Sequence, residues 1–298
     1  MFRVGKRSDP SVSPSPTILP EHLRDRPIGR LGYRDVMLFE ADTAILILAI
    51  GAIIAVFIAI GVVVGRRLRT STEAASHRES LGVVQGALLG LVGLLLAFGL
   101  TMAVGRYEDR RTLLVQEANA IGTTYLRAQL LAEPERTESS TLLRDYTDLA
   151  VEMSQATADS ERFDTAAQNM AAMHQELWRL AASAMAAAPQ DSAPRLYVET
   201  LNDLIDRHTD RVASLRNRVP DSVWILQILG SGIALGALAL YLAMLGRGLV
   251  TPLVAGVFVV LILFNSFDLD RPHRGFISIP SDPLVDVRAT MDVDLRGS

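Results

Sequence analysis

Four uncharged apolar stretches, at 44–65, 81–105, 223–246 and 248–267, constrain this chain more than anything else in it. A hydrocarbon core of about 30 Å is crossed by roughly 20 helical residues at about 1.5 Å each, and every one of the four is long enough. Apolar residues make up 49% of the chain and lie in these blocks rather than at a helical or strand period. The sequence therefore predicts an all-α integral membrane protein with four transmembrane helices in two hairpins. The second stretch is the most informative. Its apolar run LLLAFGLTMAVG continues without a helix breaker into RYEDRRTLLVQEANAIGTTYLR, so a span is expected to pass into a charged amphipathic helix beyond the bilayer.

Five segments follow from this pattern. Residues 1–40 hold the run SDPSVSPSPTILPEHLRDRP and are expected to be a disordered Ser/Pro-rich tail. Having no apolar core, they give no sign of a cleaved signal peptide, and the first span is expected to act as an uncleaved anchor. Residues 41–105 form the first hairpin, 106–220 a helical region continuing span 2, 221–267 the second hairpin and 268–298 a C-terminal tail. Within 106–220, Ala, Leu, Glu, Arg and Gln dominate, and apolar residues recur at intervals of three and four. Breaks at Glu133-Pro134-Glu135, Asp159-Ser160 and 189–194 divide it into an extension of span 2 to near Ala132 and helices at 139–158, 163–188 and 194–218.

Composition excludes several classes. There is no cysteine, so thiolate metal sites, disulfides and cysteine nucleophiles are absent. The net charge of -4 gives no nucleic-acid footprint. His22, His77, His174, His208 and His273 lack metal-ligand spacing, and no catalytic constellation is present, so neither cofactor, metal nor enzymatic activity is expected. No span carries an ionisable side chain, which argues against a proton relay or ion-coupled transport. More arginines flank the side bearing both termini and the helical region (Arg24, Arg26, Arg30 and Arg34, then Arg106, Arg110, Arg111 and others) than the opposite side (Arg66, Arg67, Arg69, Arg78, Arg247). That total favours a cell (inner) membrane protein with the helical region and both termini in the cytoplasm, while the arginine density of the short first hairpin loop points the other way.

Within span 2, Gly82, Gly86 and Gly90 recur every four residues, a spacing that lets helix backbones approach closely. Gln85, like Gln227 and Asn265, is expected to find an interhelical hydrogen-bond partner. At the boundary, Arg106 and Arg110 share one helical face. They would either anchor the helix at headgroup depth or, in an oligomer, ring the mouth of a pore and attract anions. After the fourth span come Asp268, Asp270, Arg271 and Pro272, which read as a structural exit rather than a cation site, since the further oxygen ligands of a calcium loop are missing.

The stretches VQGALLGLVGLLLAFGLTMAVGRYEDRRTLLVQEANAIGTTYLRAQLL at 84–131 and LDRPHRGFISIPSDPL at 269–284 identify the chain as a member of the bestrophin-like membrane family carrying the DUF4239 domain. It also resembles, more distantly, bestrophin channels proper, in which span 2 lines a narrow apolar neck of a homopentamer that passes small ions. If Arg106-Tyr107 matches the Arg-aromatic pair that follows that span, the resemblance implies that Gly90, Leu94 and Phe98 form the constriction, with Arg106 and Arg110 at its mouth. The partners it implies are the bilayer, further copies of the chain and small inorganic ions, anions ahead of cations. Gly90 stands where a bulky neck residue is usual, Tyr107 where paired tryptophans are usual, and the acidic run of a calcium clasp is reduced to Asp268 and Asp270, so calcium gating is not implied. The competing class is a non-conducting scaffold or sensor, for which an exposed apolar stripe of Met170, Met173, Leu177 and Trp178 would be the partner surface.

Overall fold

A computed structural model describes residues 43–69, 74–158, 160–271 and 277–297. The expected tail at 1–40 and Pro272 lie outside the described residues. Those described form eight helices and no strand: α1 (Thr43–Arg69), α2 (Ala74–Ala128), α3 (Glu135–Gln155), α4 (Glu161–Ala187), α5 (Ser192–Arg216), α6 (Asp221–Met244), α7 (Val250–Asp270) and α8 (Asp282–Gly297). Four helices are long and apolar enough to cross a membrane. Their crossing parts lie in α1, the first half of α2, α6 and α7.

Helix α2 has 55 residues, about 80 Å at 1.5 Å per residue, and belongs to both halves of the molecule. Its N-terminal half packs with α6 and α7, and its C-terminal half with α5, α3 and α8. Two apolar cores result. The membrane core joins Ile50, Ile54 and Ile58 of α1 to Trp224 of α6 and Phe267 of α7. The bundle core joins Ile121 and Tyr125 of α2 to Tyr146, Phe163, Met170, Tyr197 and Leu201. In α4 the chain enters the helix through Ser160, whose hydroxyl accepts from the Phe163 amide at 3.2 Å, with Glu161 and Asp164 in the positively polarised first turn.

Three expectations change here. First, spans 1 and 2 do not pair as a hairpin: the packing partners of α1 are α6 and α7. Within the chain, the tight glycine crossing is that of α1 and α6. A Cβ at Gly61 would stand 2.1 Å from the Gly236 carbonyl oxygen, and one at Gly65 would stand 2.4 Å from that of Leu240, so only hydrogen fits between the backbones. On α2, Gly82 meets only the Tyr241 ring, while Gly86 and Gly90 face open space in the isolated chain. Second, the stripe on α4 that a partner-binding surface required is turned inward, with Met170 and Leu177 fully buried, Met173 packed on the core and only Trp178 exposed. Third, 282–297 is helical and docks on α2 and α3, burying Leu284 and Met291.

Gly61→Ala is expected to destabilise the protein by about 1–3 kcal/mol through overpacking of the α1–α6 crossing. Gly51→Ala, whose added methyl meets nothing within 4 Å, should stay within about 0.5 kcal/mol of the unsubstituted protein. Thermal unfolding in detergent compares the two, and equal losses would refute the crossing.

Candidate functional site

The apolar half of α2 presents two faces. On one, Val92, Leu96 and Ala103 are buried against α6 and α7. There Gln227 donates from Nε2 to the Leu95 carbonyl at 3.1 Å, in space that Gly99 leaves open. The other face carries Gly86, Gly90, Leu94 and Phe98 at four-residue spacing. Leu94 is 53% and Phe98 59% exposed, with no neighbour from the same chain over Gly86 or Gly90. This stripe is apolar, continuous and available to lipid or to another protein surface. Gln85, expected to bond across helices, is half-buried.

Arg110 is turned into its own subunit. It is 2% exposed, and its guanidinium is spent inside the subunit: Nε donates to the Ser214 carbonyl at 3.2 Å, Nη2 to Asn217 at 2.7 Å, and Nη1 to Leu269 at 3.4 Å and Asp270 at 3.3 Å. These are the last carbonyls of α5 and α7, which a helix C-terminus leaves without intrahelical donors and which carry its negative dipole end. One planar fork of five N–H groups serves both termini. The Asp270 carboxylate completes the junction, accepting from the Val219 amide ahead of α6 at 3.0 Å and standing 3.7 Å from Arg110 Nη2. Arg106, one turn back on the same face, is half-buried. Spacing at i and i+4 shows that the two side chains share a face without showing which way that face turns.

Two other residues of the post-membrane motif make contacts within the chain. Asp268 is buried and accepts from the Ile277 amide at 3.0 Å, and Arg271 stacks its guanidinium 4.7 Å from the Phe267 ring centre. Among the described residues no group of three His, Cys, Asp or Glu side chains is arranged to hold a metal ion.

A buried polar cluster sits further along α2, outside the apolar span. Glu117 Oε2 accepts from Arg211 at 2.5 Å, and its Oε1 lies 2.9 Å from His208 Nδ1 and accepts from the Tyr146 hydroxyl at 3.1 Å. His174 Nε2 is 3.2 Å from that hydroxyl, and its ring centre is 5.0 Å from that of His208. Burial would raise the Glu117 carboxyl, but Arg211 and the His208 hydrogen bond outweigh it and hold the group at about 2. Burial, with His208 beside it, lowers His174 to about 4 against the pull of Glu117. Burial, followed by the adjacent Glu117 charge, pushes the Tyr146 phenol well above its usual 10. An ionised carboxylate held this low by fixed partners is an internal ion pair, not a general base poised near neutrality. Sequence reading missed the cluster. Its one signal is Glu117 among the apolar neighbours Leu114, Ala118 and Ile121, which places a carboxylate on an inward face.

A family model described as the Bestrophin-like domain matches residues 51–284. Among solved structures, the chain is similar to a bacterial bestrophin homologue from Klebsiella pneumoniae phased by zinc anomalous scattering, with 14% identity and a TM-score of 0.55, covering 82% of this chain and 99% of that one. A second, described only as a membrane protein carrying a substitution, gives a TM-score of 0.57 at the same identity and coverage. At this identity the likeness is one of fold. No curated protein matches the chain.

Arg110→Lys keeps the charge but cannot reach the carbonyls of two helix ends, and is expected to destabilise by at least about 2 kcal/mol. An unchanged melting temperature in detergent would refute the junction. His174 is depressed in the folded state, so the unfolded chain takes up its proton first as pH falls. Stability is complete above about 6.5 and is lost on going down to about 4, by at most about 3 kcal/mol. His174→Gln should flatten the melting temperature across that window. A variant as pH-sensitive there as the unsubstituted protein would assign the titration elsewhere.

Proposed function

This chain belongs to the bestrophin-like family, and from that premise we propose that it is a passive ion channel formed by several copies of itself, five in the favoured arrangement. The observation that carries the reading is the exposed apolar stripe of α2. Gly90, Leu94 and Phe98 lie along one helical line that the chain itself leaves uncovered, on a helix held by its opposite face. Packed around a common axis, such helices bury this line against one another and leave a narrow apolar constriction at Leu94 and Phe98. Gly86 and Gly90 make room above it. Gly82 and Gln85 lie further toward that end of the span and take part in helix packing.

Hydrophobic constrictions pass ions only when they stay wetted, so their width controls conduction. The absence of ionisable side chains inside the spans fits passive passage rather than coupled transport. Anions are the favoured cargo on the family resemblance and on Arg106, half-buried just beyond the apolar stretch. With Arg110 withdrawn into the subunit, the exposed Glu108 and Asp109 offset part of that preference. The scaffold alternative loses its main surface, since Met170 and Leu177 are buried. The helical region and both termini are assigned to the cytoplasm of a cell whose inner membrane holds the four spans.

Purified protein in planar bilayers should give currents whose reversal potential under a salt gradient tracks the anion. Phe98→Ala and Leu94→Ala should raise the unitary current several-fold by widening the apolar ring. A monomer in native mass spectrometry, or silence from all three proteins, would overturn the proposal. A reversal toward the cation potential would overturn the selectivity alone, and a reporter fused after Ser298 that is active only outside the cytoplasm would reverse the topology.

A further inference from the structure

At the end of the spans opposite the helical bundle, α1 and the turn between α6 and α7 enclose a cavity of about 260 Å³. Arg66 and Arg69 of α1 and Arg247 of the turn line it, all three exposed, and among the described residues no carboxylate does. Val62, Arg66 and Arg69 recur at i, i+4 and i+7, so a single face of α1 brings two arginines to the cavity's lining, while Arg67 does not line it. The third arginine is brought there by the turn itself. Gly246 ends α6 with a φ of 73°, and the Arg247 amide bonds back to the Leu242 carbonyl at 2.9 Å. A Cβ at Gly246 would stand 2.9 Å from Arg69 Nη1, so glycine both adopts the left-handed conformation and lets that guanidinium lie over the turn.

Helix α7, 21 residues long, starts beside the cavity through Leu249 and Pro252, and its first turn has no side-chain cap. Three cations and the positive end of a helix thus converge on one small concavity. Three arginines around one concavity, with no carboxylate among its described lining, suit an oxyanion with several acceptor oxygens, which guanidinium forks match in pairs. The apolar side of the cavity, at Val62, Leu242 and Pro252, continues into the membrane core and suits the start of an acyl chain.

We infer that this cavity binds a phosphate group, presented by an anionic phospholipid of the adjoining leaflet or supplied as free phosphate. The site is separate from the α2 stripe and does not depend on conduction. The test uses the full-length protein in detergent. Native mass spectrometry with phosphatidylglycerol or phosphatidylcholine measures lipid retention, and thermal shift with inorganic phosphate measures the free ion. Tighter retention of phosphatidylglycerol, lost about tenfold in Arg66→Gln/Arg69→Gln/Arg247→Gln, supports the lipid source; this corresponds to about 1.4 kcal/mol. Stabilisation by inorganic phosphate that the same variant abolishes, without lipid preference, supports the free ion. Arg67→Gln should leave both readouts unchanged. If the triple variant does not fold, Arg247→Gln alone is expected to weaken whichever probe binds. No preference for either probe in the unsubstituted protein, or binding that survives the arginine substitutions, overturns the inference.

Discussion

Where the membrane stops and the helical bundle begins, α5 and α7 both end, and their last backbone carbonyls have no following helical turn to bond. The Arg110 guanidinium answers both sets, and Asp270 balances its charge while holding the amide that precedes α6. Four helices, α2, α5, α6 and α7, are tied at one point. Without that junction, the bundle would be joined to the spans chiefly by the continuity of α2. With it, the relative placement of spans and bundle is fixed by hydrogen bonds between elements distant in sequence.

The second constraint is that α2 is anchored twice on the same side. Arg110, Leu114, Glu117 and Ile121 follow one another down one face at helical spacing, and all are buried. Glu117 bonds to His208 and Arg211 of α5 and to Tyr146 of α3, so the polar cluster repeats within the bundle what Arg110 does at the boundary. Buried ion pairs of this kind contribute little net stability compared with apolar packing, but breaking one leaves a stranded charge. Their effect is to fix register and rotation. The opposite face of α2 is thereby held outward.

Sequence and structure agree where a signal is local. Uncharged blocks mark the spans, because burial in hydrocarbon excludes charge over a whole segment at once. The continuity of span 2 into a charged helix is equally legible, since nothing between Leu94 and Arg127 breaks a helix. What sequence could not supply was the partner of each face. Repeated glycines on α2 permit a close crossing without naming the second helix, and within the chain the backbones in contact are those of α1 and α6. Arg106 and Arg110 were correctly placed on one face, but the carbonyls that draw Arg110 inward lie more than a hundred residues away. His208 and Glu117, separated by 91 positions, likewise show no motif. Within the expected C-terminal tail, 282–297 forms a helix that docks on α2 and α3 and buries Leu284 and Met291, a surface no local pattern announces.

The double anchorage also limits how conduction could be controlled. If Leu94 and Phe98 form the constriction, the simplest gate would rotate α2 about its axis and swing these side chains away. One helical position corresponds to about 100°, and a turn of that size would pull Arg110 from four carbonyls and Glu117 from Arg211 in the same movement. Breaking a buried pair costs about 3–5 kcal/mol, and with two junctions lost together the rotated state would be populated far below one part in a thousand. The glycines offer a different route. A Cβ at Gly86, Gly90 or Gly93 would meet nothing within 4 Å, and all three lie beyond Leu94 and Phe98 as seen from Arg110, so a bend at this end of α2 would leave both anchors intact. If the proposed channel has a gate, it would belong to the glycine-bearing end of α2 or to whole subunits moving as units, and not to rotation of the helix within its subunit.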